Sequence, residues 1–563
     1  MKKEHRSESF GVVWLIILLM ALANTFTAFA QVKQATVLVN GISCDLEQGI
    51  LKVEFVTPDV VRVQYTGENT FIGNGTDVCL PRAVDNPVRW VYTPNPDCYL
   101  LKSDSLIVRV DLSTASITYL DKEGRLLLQE DQNIPRISEK RVTKQVIYDE
   151  HSKHIEKTAD GDKEIKNVLR YDTIGHTWKY RINFKWQPLE ALYGWGSHME
   201  DYMNLRGKEL YLCQHNLKAM VPVLNSTAGY GLLFDAGCAM MFKDNSEGSF
   251  VELEAAKQID YYFMKGKTMD AVVANYRMLT GNSPMMPLYL FGYIQSKERY
   301  VSSDDLINTL KEYRQRQIPI DMIVQDWNYW PEGQWGNMSM NPKFYPDKRK
   351  LADEIHSLHA KLMISIWPNA MNCPQHEEFK RKGWLLSGTS VYDAFNPLAR
   401  KLYWNYANNE FFGNGFDAWW CDASEPLDAD WTFMKDGYGA DNHRQRWELN
   451  TNLLNSVLGA ERSQLYSLYH AKGIYENQRS TNEDKRVVNL TRSSYAGQQR
   501  YSTITWNGDT YATWQSFAQM IPAGLNFMAT GCPYWTVDIG AFFTKNGPQW
   551  FWKGDYDSSK IGR

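Results

Sequence analysis

The 563-residue chain lacks several features that would place it in common functional classes. Its eight cysteines (Cys44, Cys79, Cys98, Cys213, Cys238, Cys373, Cys421 and Cys532) show no CxxC or CxxH spacing, which removes the usual signature of a zinc site. No glycine-rich phosphate loop follows an early strand, so a dinucleotide site has no support. A formal net charge of −4 leaves no basic footprint for nucleic acid. Beyond the first thirty residues, no segment combines the length and freedom from charge of a membrane span. No metal, no cofactor and no nucleic-acid partner is therefore expected.

Residues 1–30 read as a cleavable export signal. Lys2, Lys3 and Arg6 precede an apolar run from Gly11 to Leu22, and Ala28-Phe29-Ala30 offers small residues before Gln31. Their removal takes away three bases and two acids and moves the net charge from −4 to −5. The expectation is a periplasmic or extracellular protein with no stable membrane insertion once the signal is cut. Such a compartment permits disulfides, and Cys79 with Cys98 or Cys213 with Cys238 are candidate pairs; free buried thiols are the equal alternative. The oligomeric state is not legible. The chain is rich in aromatics, with 20 Trp and 32 Tyr. Flat rings of this kind stack on the apolar face of sugars, although large β-rich proteins bury aromatics in any case.

From Ala35 to about Lys265 the pattern is short alternating segments broken by turns, as in Leu51–Val56, Val60–Tyr65, Leu106–Asp111 and Ser116–Leu120. This predicts an antiparallel β-sandwich over residues 31–268. Residues 138–170 are charged and weakly patterned and are expected to form an exposed hairpin or excursion. The period changes at Met269–Leu279, a helical segment ending at Thr280-Gly281. Strands are then expected at Leu288–Gln295, Met322–Gln325, Leu362–Ile366, Ala418–Cys421, Leu465–Leu468, Val487–Leu490 and Tyr534–Val537, alternating with helices such as Asp304–Arg314 and Lys348–His359. That alternation predicts a parallel (β/α)8 barrel over residues 269–563, with its site at the C-terminal face of the strands. Seven strands are read before Arg563, inside what should be a helical connection. The last strand of the barrel is expected to be missing, as in a fragment or truncated frame, with one open seam.

Two acidic segments stand out. In Asp417-Ala418-Trp419-Trp420-Cys421-Asp422-Ala423-Ser424-Glu425-Pro426, a buried strand runs into a loop with Asp422 at the strand's end. In Trp506-Asn507-Gly508-Asp509, a carboxyl lies beside an indole on a glycine-containing loop, where partial desolvation raises an acid's pKa. Alone, the first reads better as a solvated acidic loop and the second as an Asn-Gly turn with a solvated Asp.

Together with Leu490-Thr491-Arg492-Ser493, Gly497-Gln498-Gln499-Arg500-Tyr501 and Gly531-Cys532-Pro533-Tyr534-Trp535-Thr536-Val537-Asp538-Ile539-Gly540, these segments resemble glycoside hydrolase family 31 in order and spacing. Tyr193-Gly194-Trp195-Gly196, Asn204-Leu205-Arg206-Gly207 and Gly229-Tyr230-Gly231 resemble that family's N-terminal sandwich. The resemblance implies a retaining exo-α-glycosidase acting on an oligosaccharide. Asp422 would be the nucleophile, forming a glycosyl ester, and Asp509 the acid/base. Arg492 would keep Asp422 ionised, Asp326 would bind sugar hydroxyls, Trp367 and Trp506 would wall the subsite, and Trp420 and Asp538 would complete the substrate-binding set. Outside this resemblance, a strand-end acid and a core tryptophan remain equal readings of Asp326 and Trp367.

Two departures qualify the resemblance. Many α-xylosidases of the family carry a lysine two residues before the nucleophile, where this chain has Trp420, as its α-glucosidases do. The family's subsite also takes a histidine from the end of the barrel, which is not found here. Gln295-Ser296-Lys297-Glu298-Arg299-Tyr300 and the stretch Asp326 to Trp330 lean toward α-xylosidase. α-Glucosidase, α-galactosidase and α-transglucosylase stand as alternatives, and an inactive remnant or a carbohydrate-binding protein is the alternative of another class.

Overall fold

The computed structural model describes residues 31–72, 76–81, 87–158, 161–297, 299–427, 443–510 and 512–542. The expected export signal lies outside them. Among the described residues no helix is long and apolar enough to cross a membrane.

Two antiparallel sheets build the N-terminal part. The first has eight strands and runs from Val32–Val37 at one edge through Val60–Thr66, Ile259–Lys265 and Ala219–Ser226 to Leu192–Ser197. The second has ten and includes Leu106–Asp111, Ile117–Asp121 and Val168–Lys185. In Leu106–Asp111 and Ile117–Asp121 every second residue is buried, so the period-2 pattern in the sequence is the core-facing set. Between the sheets, Tyr119 from one stacks on Phe263 from the other with ring centroids 3.9 Å apart. The Tyr119 and Tyr261 hydroxyls are hydrogen-bonded at 2.9 Å, so two buried phenols satisfy each other across the sandwich.

Arg136–Tyr148 pairs with Val168–Lys185 as a long hairpin, and its far end carries a second small hairpin of His154–Thr158 and Gly161–Ile165. This is the expected exposed excursion. All eight cysteines are free and buried, so neither candidate disulfide forms.

Helix Met269–Thr280 is capped by Thr268, whose hydroxyl accepts from the Ala271 amide, and it buries Val272, Tyr276 and Leu279. These residues belong to the same apolar core as the sandwich strands. Tyr276 also donates to Gln499 Oε1 at 3.0 Å, and Gln499 Nε2 donates to Thr280 Oγ1 at 2.8 Å. The helix therefore joins the sandwich to the next part of the chain.

Seven parallel strands follow in sequential order: Ile294–Gln295, Met322–Gln325, Lys361–Ile366, Ala418–Cys421, Asn489–Thr491, Thr503–Trp506 and Trp535–Thr536. They form a parallel barrel sheet whose end strands do not pair with each other among the described residues. Helices such as Ser303–Gln315, Lys348–Ser357 and Pro397–Glu410 lie between them, as parallel connections require.

Among the described residues the strand count is the seven of the sequence reading, but two members differ. Leu465–Leu468 was expected as a strand and instead opens helix Tyr466–Thr481, whose first turn buries Tyr466, Ser467 and Leu468. A short apolar run fits a buried helix turn as well as a buried strand. Thr503–Trp506 was not read as a strand because it follows Asn489–Thr491 without an intervening helix. The connection is a loop with one 3-10 turn, Gln498–Tyr501, closed by Ser502 at φ +57°. Leu288–Phe291, expected as strand, is also a 3-10 turn, and only Ile294–Gln295 pairs.

Candidate active site

A cavity of about 590 Å³ opens where the barrel strands end. Asp326, Trp367, Trp420, Asp422, Arg492, Trp506, Asp509 and Asp538 all line it, so the fold brings these eight candidate site residues together.

Asp422 directly follows strand Ala418–Cys421, and Asp509 comes three residues after Trp506 ends its strand. The strand ends carry the acids because a parallel strand buried on both faces leaves its C-terminal exit as the place where a polar side chain reaches solvent. At Asp422 the chain turns sharply. Ala423 adopts φ +49° and its amide donates to Asp422 Oδ1 at 2.7 Å. A non-glycine residue in this region is uncommon and marks a backbone held by its surroundings.

Arg492 is the electrostatic hub. Its Nη1 lies 3.3 Å from Asp422 Oδ1 and 3.3 Å from Asp509 Oδ2. Its Nη2 pairs with Glu425. Arg492 and Glu425 are buried, with side-chain exposures of 2% and 1%, whereas Asp422 and Asp509 keep 16% and 14%. The two aspartates therefore face the cavity and the other pair stands behind them. Because both oxygens contact the same nitrogen at 3.3 Å, they can be no more than about 6.6 Å apart.

Burial pushes Asp422 up to about 7, and the nearby Asp509 and Glu425 add to the rise while Arg492 opposes it. Burial likewise pushes Asp509 up to about 6, with Asp538 and Glu425 adding and Arg492 and Asn216 opposing. The sequence expectation was that Arg492 keeps Asp422 ionised. Its charge does act in that direction, but it is divided among three carboxyls. Two acids on one guanidinium release their protons as a pair.

The remaining residues surround this centre. Trp420 and Trp506 meet edge to face with centroids 5.0 Å apart. Trp506 is buried, and its indole Nε1 has no hydrogen-bond partner among the described residues. Trp367 stands edge-on to Trp335 at 5.3 Å and donates to Ser365 Oγ at 3.1 Å. Asp326 sits at the end of strand Met322–Gln325, with Oδ1 accepting from the Trp327 amide at 2.8 Å. From the two stretches that led toward α-xylosidase, Gln295, Ser296, Asp326 and Trp327 line the cavity. Tyr300, Tyr329 and Trp330 are packed in the core behind it, and Glu298 is outside the described residues.

Sequence reasoning missed one contributor. Asn216 sits on the loop between sandwich strands Glu209–Leu212 and Ala219–Ser226 and is fully buried. Its Nδ2 donates to Asp509 Oδ2 at 2.7 Å, and its Oδ1 accepts from the Asp509 amide at 3.0 Å. The signal that could have pointed to it is Gly508. This residue adopts φ +82°, and a Cβ there would lie 2.3 Å from Asn216 Oδ1, so the glycine makes room for the visiting amide. Its neighbour Gln214 fastens the same loop beside Arg492: Ser493 Oγ donates to Gln214 Oε1 at 2.8 Å, and Gln214 Nε2 donates to Ser494 O at 2.7 Å.

Comparison with known proteins places this geometry. Residues 283–553 match the family model described as the glycosyl hydrolases family 31 TIM-barrel domain, and residues 50–242 match the glycosyl hydrolase 31 N-terminal galactose mutarotase-like domain. An α-xylosidase from Saccharolobus solfataricus is 32% identical over 506 residues, covering 88% of this chain and 63% of the relative. An uncharacterized family 31 glucosidase from Pseudescherichia vulneris is 31% identical over 386 residues, covering 65% of this chain and 69% of the relative. The crystal structure of a GH31 α-xylosidase from Xanthomonas citri superposes with a TM-score of 0.75 at 21% identity, over 90% of this chain and 69% of that one. The chain thus spans less than two thirds of the length of the Saccharolobus α-xylosidase.

Proposed function

Because the chain belongs to glycosyl hydrolase family 31, we propose that it is a retaining exo-α-glycosidase working by double displacement on a terminal α-linked sugar. The observation that carries this reading is the placement of Asp422 Oδ1 and Asp509 Oδ2 on the same Arg492 nitrogen, each at 3.3 Å, inside the barrel-end cavity. Retention needs two carboxyl groups about 5–5.5 Å apart, against about 6.5–9.5 Å for inversion, where a water must fit between acid and sugar. An upper limit near 6.6 Å between these oxygens favours the closer arrangement.

In this mechanism Asp422 attacks the anomeric carbon while Asp509 gives its proton to the departing glycosidic oxygen. Asp509 then takes a proton from water, and the resulting hydroxide equivalent cleaves the ester at Asp422. Arg492 stabilises the carboxylate that forms at either aspartate. Trp420, Trp506 and Trp367 provide flat faces for the sugar ring, and Asp326 and Asp538 provide acceptors for its hydroxyls. Exposure of the polypeptide to this substrate would follow export through the signal read in residues 1–30.

Within this class α-xylosidase is the preferred substrate reading, supported by the relative of that name and by Gln295 and Asp326 in the cavity wall. α-Glucosidase is the second reading, favoured by Trp420 where many α-xylosidases of the family have lysine. Rates on aryl α-xylosides and aryl α-glucosides separate the two. The nucleophile is tested with a 5-fluoro glycosyl fluoride, which should label the peptide carrying Asp422, and with Asp422→Asn, which should abolish turnover in a normally folded protein. Labelling at Glu425 would overturn the assignment.

A further inference from the structure

Asp509 must do more than hold a proton; it must hold it on the oxygen that meets the leaving group. A carboxylic acid has two oxygens, and a buried site that leaves both open wastes half of the protonated population on the wrong one. Here the two oxygens differ. Oδ2 accepts from Asn216 Nδ2 at 2.7 Å and from Arg492 Nη1 at 3.3 Å. Oδ1 takes no hydrogen bond among the described residues, and the side chain that carries it lines the cavity.

From these contacts the geometry points to Asn216 as the positioning residue that confines the catalytic proton to Asp509 Oδ1, through a loop supplied by the sandwich. The inference rests on the reading of Asp509 as the acid.

The argument is one of donors and acceptors. Neither an amide NH2 nor a guanidinium can accept a hydrogen bond. A proton on Oδ2 would face two donors and displace both, whereas a proton on Oδ1 leaves both bonds intact. The Asn216 amide cannot flip to relieve this, because its Oδ1 is already engaged by the Asp509 backbone N–H at 3.0 Å. The same two-point contact fixes both the backbone and the side chain of Asp509. Arg446 holds the loop from behind, donating from Nη2 to Asn216 O at 3.0 Å, and Gln214 is fastened at Ser494. Burial is complete at Asn216, so water does not compete for these bonds. The direction of the interaction agrees: the bond from Asn216 opposes the rise that burial imposes on Asp509.

Asn216→Asp is the informative variant. It keeps the volume and the acceptor that receives the Asp509 amide, but it replaces the donor opposite Oδ2 by an oxygen. The proton is then drawn into the gap between the two carboxyls, and Oδ1 is left bare. The readout is kcat/KM, which reports the step that breaks the glycosidic bond, on two aryl α-glycosides of the accepted sugar. With a phenyl leaving group, which needs the proton, the loss should be on the order of 10²–10³-fold. With a dinitrophenyl leaving group, which does not, it should be less than about 10-fold. The alkaline limb of the pH profile should move to higher pH. Gly508→Ala, which pushes Asn216 away from the other side, should show the same leaving-group bias.

Equal losses on both glycosides with an unmoved alkaline limb would reduce Asn216 to a structural brace and overturn the proposal, as would unchanged rates on both. Failure of the functional reading looks different. The unaltered protein would then be inert on every aryl α-glycoside, and the proposal would fall with it before any variant is compared.

Discussion

Arg492→Gln tests whether one guanidinium governs the whole site. Arg492 sits 3.3 Å from an oxygen of Asp422 and of Asp509 and closer still to Glu425. At that distance and an effective dielectric of about 20, each pair is worth on the order of 5 kcal/mol before desolvation. Removing one partner of a buried pair typically costs about 3–5 kcal/mol, because the other charge stays behind unpaired. The variant can avoid much of this cost by keeping protons on its carboxyls. Its stability deficit must therefore depend on pH.

The sign follows from the direction of the shifts. Asp422 and Asp509 are already raised to about 7 and about 6, and loss of the cation raises them further. A carboxyl whose folded value lies above its unfolded value of about 4 stabilises the fold fully only below about pH 4, and that contribution is lost as pH rises through the folded value. The deficit of the variant should be small at pH 5 and grow toward pH 7.5. In differential scanning this corresponds to a Tm drop of roughly 3–5 °C at pH 7.5 and less than about half of that at pH 5. The pH profile of kcat/KM should shift upward on both limbs, by about one unit or more, besides losing height. A Tm drop equal at both pH values, with a profile that is lower but not displaced, would refute the view that Arg492 sets the ionisation of the pair.

Three further outcomes are expected. Asp509→Ala should reduce hydrolysis of natural glycosides by about 10²–10⁴-fold while glycosyl fluorides still form the ester, and azide should restore turnover with an α-linked azide as product; equal loss on all substrates without rescue would count against the acid role. Asp417, at the opposite end of the Asp422 strand, accepts from His356 Nε2 at 2.7 Å and from the Leu362 amide at 3.0 Å, and although burial works against the charge, these bonds hold its carboxyl below the usual range. Asp417→Asn should cost about 1.5–3 kcal/mol at neutral pH, a difference that vanishes as pH falls through the native carboxyl's titration, with kcat/KM changed less than about twofold. Finally, N-terminal sequencing of protein recovered from outside the cytoplasm should begin at Gln31; retention of Met1 there would show that residues 1–30 are not cleaved and remove the cleavable-signal reading.

What the sequence disclosed and what it hid follow from the range of each signal. Asp422 stands out because a buried strand followed by an acid and a proline is a local pattern, but that pattern alone fits a solvated loop and the catalytic reading comes from the family resemblance. Leu106–Asp111 was legible because a half-buried strand writes its period into consecutive residues. Leu465–Leu468 was misread because four apolar residues carry no period of their own. Thr503–Trp506 was passed over because the alternation of strand and helix fails just there, in the loop that carries Arg492 toward the cavity. Asn216 was illegible: it lies 293 residues from Asp509, and nothing about an asparagine in a turn declares a distant partner. Gly508 held the only trace of it, since a glycine after an asparagine reads as a turn until the atom that needs its empty space is seen.

The division of the site between two parts of the chain has a physical logic. Among the described residues the charges that the barrel supplies do not balance: Asp422, Glu425 and Asp509 all face Arg492, with Asp538 near enough to raise Asp509 further. A buried cluster with more carboxyls than cations reaches its lowest free energy by holding a proton, which is the state an acid catalyst needs before substrate arrives. Charge alone decides how many protons are held but not on which atom. A second cation at Asp509 would fix the location only by releasing the proton. A neutral amide fixes it without changing the count, because it donates to one oxygen and leaves the other bare. The barrel strands end in the charged groups themselves, so the neutral donor has to reach Asp509 from outside the sheet, and the sandwich loop carrying Asn216 provides it.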